Sequence, residues 1–175
     1  LIKYNLIFIN IMLINKENIQ SYLPQRPPFV MIDALIETTE STFESAFEVI
    51  ESNIFIENGV LSESALVENI AQTCAAGFGY VGSQNGEEAG KLGFIGAVSK
   101  LKVSGLPKTG DKLATKIEIL NTFDAIHLIQ GTVYFSDQRL DEAFTQFDAV
   151  FKHGCNAFDT AHTYFDGECE RALGA

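Results

Sequence analysis

The chain has 175 residues, which suits one domain of ordinary size, since domains typically run to about 100–200 residues. Its formal net charge of −11 argues against nucleic-acid binding, which needs a basic face to neutralise phosphates. The three cysteines (Cys74, Cys155 and Cys169) show neither metal-ligand spacing nor a disulfide framework. We therefore expect a reduced, cytoplasmic protein that uses no metal ion or other cofactor.

The first 14 residues are mostly apolar, interrupted by Lys3, Asn5 and Asn10, and are too few to span a bilayer, which takes about 20 residues. They also lack the small-residue cleavage site of a signal peptide, so no membrane association is expected. The first methionine is Met12. Residues 1–11 are therefore interpreted as a non-native N-terminal extension, and the domain is expected to begin at Met12.

The predicted elements begin with a short amphipathic helix over residues 16–23, which ends at prolines because proline lacks the N–H that a helix needs. Two strands are predicted next, over residues 29–36 and 42–50. The first is an apolar run, and the second alternates strictly between two faces. One of those faces carries Phe43, Ser45, Phe47 and Val49.

A long helix is predicted from Ser62 to Gly82, after a turn signal at Asn58-Gly59, with Ser62 or Ser64 as its N-cap. Apolar residues recur every four positions and have apolar neighbours, so most of the helix circumference is apolar. Such a helix is typically buried inside a fold. The recurring residues are Leu66, Ile70, Cys74 and Phe78.

Four strands are predicted after the helix, over residues 92–103, 112–123, 126–135 and 140–151. A run of strands with one segregated helix indicates an α+β fold, in which an antiparallel sheet carries the helix on one face. Because this helix is apolar on nearly all sides, we expect a curved antiparallel sheet wrapped around one long central helix.

Glu68 is the main candidate for chemistry. It belongs to a polar stripe of the predicted helix, together with Ser64 and Gln72 at spacings of four residues. By periodicity alone this stripe is the solvated face of the helix. Alternatively, a carboxylate on a mostly buried helix is partly desolvated, which raises its pKa and suits general acid or base catalysis.

Two segments resemble motifs of the bacterial 3-hydroxyacyl-carrier-protein dehydratases. Residues 22–33, Tyr-Leu-Pro-Gln-Arg-Pro-Pro-Phe-Val-Met-Ile-Asp, are similar to the opening motif Leu-Pro-His-Arg-x-Pro-Phe-x-x-x-Asp. Residues 68–72, Glu-Asn-Ile-Ala-Gln, are similar to the helix motif Glu-x-x-Ala-Gln, which carries the catalytic acid of that family. Further similarities follow in the family order at Asn58-Gly59-Val60-Leu61 and Gly110-Asp111, so the resemblance covers about residues 12–152.

The resemblance implies a hotdog fold and a dehydratase of fatty-acid or related acyl-chain synthesis. Its substrate would be a 3-hydroxyacyl thioester of acyl carrier protein or coenzyme A, and it would work as a homodimer. Glu68 would be the catalytic acid, and Gly59 and Gln72 would bind substrate. Extra residues between Gly59 and Glu68 leave Glu63 as a weaker candidate for the acid.

The chain departs from the family at its histidines. The Gly-His-Phe-Pro loop of the family, whose histidine removes the C2 proton, falls near residues 51–56, which contain no histidine. Asn53 lies nearest that position but is not a base, and Gln25 replaces the histidine of the opening motif. His127 lies in a strand pattern, which favours a structural role. The chain thus visibly supplies only the acid, so a water or a histidine of another subunit would have to complete the site.

Two other functions therefore stay open. A hotdog acyl thioesterase can run on one helix carboxylate, with helix N-terminal amides polarising the thioester carbonyl. A non-catalytic acyl-carrier-binding subunit needs no acid at all. Residues 91–116 hold six lysines and one acid, which indicates either a solvated surface or a docking site for phosphopantetheine or an acidic carrier protein. The expected contacts are Lys100, Lys102 and Lys108.

The last residues have a different character. Within residues 154–174, the pattern Phe-Asp-Thr-Ala-x-x-Tyr closely resembles a signature of the aldo-keto reductases, with Asp159 and Tyr164 at its catalytic positions. That family is a (β/α)₈ barrel of about 250 residues, which so short a segment cannot form. Residues 153–175 are therefore interpreted as a tail outside the domain, without a function of their own.

Overall fold

The structure, a computed structural model, describes residues 12–87 and 92–135 and, as backbone alone, residues 145–153. Within these ranges, no helix is long and apolar enough to cross a bilayer. The elements in chain order are a 3-10 turn (Ile19–Ser21), β1 (Ala34–Thr38), β2 (Thr42–Glu48), β3 (Ile56–Glu57), β4 (Val60–Leu61), α1 (Glu63–Gln84), β5 (Gly93–Lys102), β6 (Lys112–Phe123), β7 (Ile126–Phe135) and β8 (Thr145–His153).

Six strands form one antiparallel sheet in the order β1-β2-β6-β7-β8-β5. The helix α1 packs against β1, β2, β6 and β7, while β3 and β4 form a separate small hairpin. This is the α+β arrangement that the sequence predicted. β5, the first strand after α1, pairs with β8 and lies at one edge of the sheet.

The hydrophobic core lies between α1 and the sheet. Leu66, Ile70 and Cys74 of the helix have no exposed surface, and they meet a layer of buried sheet residues. Burying a side chain of this kind stabilises a fold by about 1.5–3 kcal/mol relative to leaving it exposed. The prediction of a buried central helix is confirmed. The sheet residues of this core include Phe43, Ile117, Ile129 and Val133.

Two glycines allow the helix to approach the sheet closely. A Cβ atom at Gly77 of α1 would lie 2.2 Å from the ring of Phe43, and a Cβ atom at Gly131 of β7 would lie 2.6 Å from Ile70. Real Cβ atoms essentially never come so close to another heavy atom. The absence of a side chain at these positions therefore sets the distance between α1 and the sheet.

We predict that Gly77→Ala destabilises the fold by about 1–3 kcal/mol, the usual penalty for overpacking a core. Gly82→Ala in the same helix is the matched control, because its Cβ atom would meet nothing nearer than 3.6 Å. That control is expected to be neutral or to stabilise by up to about 1 kcal/mol, since alanine favours helix. Urea unfolding measures both variants. Equal stability of Gly77→Ala and the unsubstituted chain would contradict the close packing.

The strand predicted over residues 29–36 is wrong at its start, because β1 begins only at Ala34. The preceding segment is hydrogen-bonded by side-chain amides of α1 instead of by a strand. Met31 N–H donates to Gln72 Oε1 over 2.7 Å, and Met31 O accepts from Asn69 Nδ2 over 2.7 Å. The apolar run thus reflects burial against the helix.

The helix predicted over residues 16–23 is also too long, since only the 3-10 turn Ile19–Ser21 forms and no side chain caps it. Ile19 and Leu23 are buried, so their spacing of four residues reflects core contacts without a full helix. The strand predicted over residues 140–151 is present from Thr145, and residues 140–144 lie outside the described part of the chain.

Residues 1–11 and 154–175 also lie outside the described residues, so their interpretation as an extension and a tail stays a prediction. β8 extends to His153, the first residue of the predicted tail, where it pairs with Gly93. We predict that truncation after His153 leaves the melting temperature and any activity unchanged, because the removed segment resembles a different fold. A large fall in the melting temperature, measured by calorimetry, would show that this segment belongs to the domain.

Candidate active site

Glu68 lies in the second turn of α1, where its carboxylate is partly buried. Its Oε1 atom accepts two amide hydrogen bonds, from Gln72 Nε2 over 2.7 Å and from Gln25 Nε2 over 3.3 Å. No described residue donates to Oε2. Burial raises the pKa of Glu68 above its ordinary value, and the two amide donors offset only part of that effect. The side chain is therefore suited to hold and transfer a proton.

Gln72 follows Glu68 by one helical turn, which brings the two side chains together. Its amide is fully engaged, because Nε2 donates to Phe29 O and to Glu68 while Oε1 accepts from Met31 N–H. Gln72 has no exposed surface. Reading the polar stripe as a solvated face is therefore wrong at Gln72, because residues 29–31 cover this side of the helix.

Gln25 reaches Glu68 from a loop that the chain fixes locally. Arg26 Nη1 donates to Leu23 O over 2.8 Å and to Gln25 O over 2.7 Å, and Leu23 itself is buried in the core. The backbone on both sides of Gln25 is thereby held in place. The two segments that resemble the dehydratase motifs thus meet at one carboxylate.

The carboxylate of Glu68 lines a cavity of about 570 Å³ that extends along α1. From Glu68 to Gly82 the helix advances by about 21 Å, at about 1.5 Å per residue. The acids Glu87 and Asp124 lie along the lining at the far end, which disfavours a phosphate there, whereas the mostly apolar walls suit an acyl chain. The apolar lining includes Ala71, Ala75, Phe78, Gly79, Phe94 and Ile95.

His127 lines the same cavity near its far end, and its strand position is as the sequence predicted. The centroid of its ring lies 4.2 Å from that of Phe78, and its Nδ1 atom lies 3.1 Å from Thr122 Oγ1. Phe78 follows Glu68 by ten residues, or about 15 Å along the helix. Dehydration removes groups from adjacent carbons, so this separation along the helix argues against His127 and Glu68 of one chain sharing that step.

Asn53 occupies the loop where the dehydratases carry their histidine. It is buried, its Oδ1 atom accepts from Phe55 N–H over 2.9 Å, and its Nδ2 atom donates to Met31 Sδ over 3.3 Å. These contacts shape the loop, and an amide is not a base. The described part of the cavity therefore has no second proton acceptor close to Glu68, and no described cluster of His, Cys, Asp or Glu could hold a metal ion.

Three other predicted site residues lie outside the cavity lining. One is Gln72, whose buried amide is fully engaged, so its predicted contact with substrate is wrong. Glu63 is the exposed first residue of α1. Gly59 lies in the two-residue turn that joins β3 to β4, with a φ of 79° that favours glycine, and it is exposed. The geometry therefore favours Glu68 over Glu63 as the acid, while substrate binding by Gly59 stays a prediction.

The three lysines predicted to dock a carrier also lie away from the cavity lining. The cavity touches β5 only at Gly93, Phe94 and Ile95. Lys100 and Lys102 lie toward the other end of that strand, and Lys108 lies in the following loop, where all three are exposed. Within one chain these lysines do not surround the site, and their docking role stays a prediction.

An antiparallel sheet packed on one long helix, with a helix carboxylate facing a cavity, defines a hotdog-fold protein. The family described as ApeP-like, ApeP dehydratase, matches residues 17–144. The 3-hydroxyacyl-[acyl-carrier-protein] dehydratase FabZ of Clostridium kluyveri is 27% identical over 137 residues, which cover 75% of this chain and 92% of that protein. FabZ of Oceanobacillus iheyensis is 30% identical over 111 residues, covering 59% and 76%.

Solved structures show the same fold. The dehydratase heterocomplex ApeI:P from Xenorhabdus doucetiae superposes with a TM-score of 0.70 at 14% identity, covering 90% of this chain and 97% of that chain. A hypothetical thioesterase with coenzyme A from Streptococcus pneumoniae TIGR4 gives 0.52 at 13% identity, covering 70% and 87%. The chain belongs to the ApeP-like dehydratase family, and it is a 3-hydroxyacyl-[acyl-carrier-protein] dehydratase-like protein.

Proposed function

We propose that this chain is the acid-bearing subunit of a cytoplasmic dehydratase that acts on 3-hydroxyacyl thioesters of acyl carrier protein. The observation that carries the proposal is Glu68, held by Gln72 and Gln25 at one end of a largely apolar cavity. The similarity of the chain to the FabZ dehydratases supports 3-hydroxyacyl thioesters as its substrate class. The buried, reduced thiol of Cys74 agrees with a reducing compartment.

The reaction breaks two bonds on neighbouring carbons. A base takes the C2 proton, and the electrons of the C2–H bond form the C2=C3 double bond. The C3–O bond breaks as Glu68 gives its proton to the departing hydroxyl, which leaves as water. The proton on the base then returns to Glu68, which restores both groups for the next turnover.

The base, in this proposal, is a histidine of a second hotdog chain paired at β5. β5 is a ten-residue edge strand, and such an edge offers unpaired N–H and C=O groups to another strand. Its residues Gly93, Phe94 and Ile95 line the cavity, so a chain paired there would border the cavity. The fold neighbour from Xenorhabdus doucetiae is itself a heterocomplex.

The homodimer expected from the sequence would use the same edge. A second copy would repeat the described side chains, so its loop at residues 51–56 would also lack a histidine. A related chain with a Gly-His-Phe-Pro loop would instead add the missing imidazole. We therefore favour a pair of two different hotdog chains.

The test is to purify this chain alone and co-expressed with a hotdog chain of the same genome that carries the histidine loop. Both preparations receive a 3-hydroxyacyl-carrier-protein thioester, and enoyl thioester and free thiol are measured separately. We expect enoyl thioester from the pair and neither product from the chain alone. Thiol release would indicate a thioesterase instead, and binding without any reaction would indicate a non-catalytic subunit.

We further propose that Lys100, Lys102 and Lys108 receive the acidic carrier protein or its phosphopantetheine phosphate. Reversing two of these charges, in Lys102→Glu with Lys108→Glu, is expected to raise KM for the carrier-bound substrate about tenfold at low salt. The effect should shrink as salt rises, because exposed charges are screened over about 10 Å at 0.1 M salt. Lys116→Glu on β6, beside Glu44 and Glu118, is the control. Equal KM values at low salt would contradict the docking site.

A further inference from the structure

Gln25 combines one useful hydrogen bond with one unsatisfied group. Its Nε2 atom donates to Glu68 Oε1 over 3.3 Å, while its Oε1 atom is buried and accepts no hydrogen bond from any described residue. A buried acceptor without a partner destabilises a fold, because it has lost water and gained nothing in exchange. Methionine would fill similar space without that penalty. The N–H group that reaches Glu68 is therefore the feature of Gln25 that needs an explanation.

The side-chain amides of Gln72 and Gln25 are held in place by different contacts. Gln72 is fixed by Phe29 O and Met31 N–H, so it always presents its N–H group to Glu68 Oε1. Within the described part of the chain, the side chain of Gln25 has no partner of this kind besides Glu68. Its position comes from its backbone, through the hydrogen bonds that Arg26 Nη1 makes to Leu23 O and Gln25 O.

We propose that Gln25 is a positioning residue for the dehydration, which rests on the proposed function: with Gln72 it occupies Oε1 of Glu68, so that Oε2 carries the acid proton. Two donors on one oxygen also oppose rotation of the carboxylate group. The proton that goes to the C3 hydroxyl and the proton that later returns therefore use the same oxygen of Glu68.

Substitutions of Gln25 should change the pKa of Glu68. Burial raises the pKa of Glu68, and the amide donors lower it, since hydrogen bonds to a carboxylate favour its charged form. Gln25→Met removes one donor, so the pKa of Glu68 should rise further. Gln25→His restores the residue of the dehydratase motif, and its cationic form should move the pKa of Glu68 below that of the unsubstituted chain.

The test is carbon NMR of the purified chain labelled at the glutamate carboxyl carbon, with Glu68→Gln used to assign the signal. We expect Glu68 to titrate at higher pH in Gln25→Met and at lower pH in Gln25→His. Gln84→Met, at the exposed end of α1 and outside the cavity lining, should leave the titration unchanged. Gln25→Met should also melt no lower than the unsubstituted chain, because the unsatisfied acceptor is gone.

In the active pair, the rate should fall above the pKa of Glu68, because a general acid must be protonated. We expect Gln25→Met to move this basic limb upward while KM stays unchanged. Identical titrations of Glu68 in the unsubstituted chain and in Gln25→Met would overturn the proposal, as would a shifted titration with an unshifted rate profile. If no thioester is dehydrated by any pair, the proposed function fails, while the NMR result still decides whether Gln25 controls Glu68.

Discussion

Glu68→Gln is expected to lower the dehydration rate of the active pair by about 10²–10⁴-fold, the usual contribution of a positioned proton-transfer group. The substitution keeps the shape of the side chain, and an amide oxygen can still accept hydrogen bonds from Gln72 and Gln25. It has no proton to give to the C3 hydroxyl. KM should hardly change, because the apolar cavity and not the charge holds the acyl chain. Steady-state formation of enoyl thioester measures both quantities.

Glu63→Gln is the matched control for this substitution. Glu63 lies in the same helix but is exposed and outside the cavity lining, so its loss should leave the rate unchanged. Full turnover of Glu68→Gln together with a large loss in Glu63→Gln would move the acid from Glu68 to Glu63.

Stability measurements show whether Glu68→Gln still folds. Because the folded-state pKa of Glu68 is raised above its ordinary value of 4.5, the folded chain binds this proton more tightly than the unfolded chain. The stabilisation is complete below pH 4.5 and is lost as the pH rises through the raised pKa. At neutral pH the buried charge therefore destabilises the fold. We expect Glu68→Gln to be more stable than the unsubstituted chain there.

Asn69→Leu is expected to lower the free energy of unfolding by about 2–6 kcal/mol, because it leaves two buried polar groups unpaired at about 1–3 kcal/mol each. Asn69 has no exposed surface, and its Nδ2 atom donates to Met31 O over 2.7 Å. Its Oδ1 atom accepts from Thr115 Oγ1, which is also buried. Urea unfolding of the purified chain measures the loss.

A double variant separates this hydrogen bond from simple packing. Adding Thr115→Val to Asn69→Leu removes the hydroxyl that the first substitution leaves unpaired. The double variant should therefore lose less stability than the sum of the two single variants, by about 0.5–3 kcal/mol. Strict additivity would mean that the two side chains do not act on each other.

The sequence predicted the longer strands and the long helix well, because their periodicity has one physical cause, the burial of apolar side chains in the core. β6 and β7 have the predicted bounds. Strand-like patterns and the turn signals that flank them had marked where each strand begins and ends. In β2, Phe43, Ser45 and Phe47 share a buried face as the alternation required. The helix α1 was visible because its apolar residues cover more than one face.

Residues 29–33 could not be predicted in the same way. An apolar run has the same pattern whether it pairs with a strand or packs on a helix. Their actual partners, Asn69 and Gln72, lie about forty residues later in the chain and act through side-chain amides. No local pattern encodes such a contact.

The candidate site was predicted only in part for a related reason. Resemblance identified Glu68 and the missing histidine, but the contact of Gln25 with Glu68 spans 43 residues. A partial signal for the cavity was present in Ala71, Ala75 and Gly79, small residues at spacings of four that share a helix face. Their shared role needed the position of β5 and β7, which the sequence does not specify.

The central claim is that the acid and the base of one site come from different chains. The most direct measurement is the rate of enoyl thioester formation by a pair in which the second chain keeps its histidine but has its own helix carboxylate replaced by an amide. The account predicts that this pair stays active and loses about 10²–10⁴-fold in rate when Glu68→Gln is added to this chain. An inactive pair with Glu68 intact, or a pair that keeps its rate after Glu68→Gln, would contradict it.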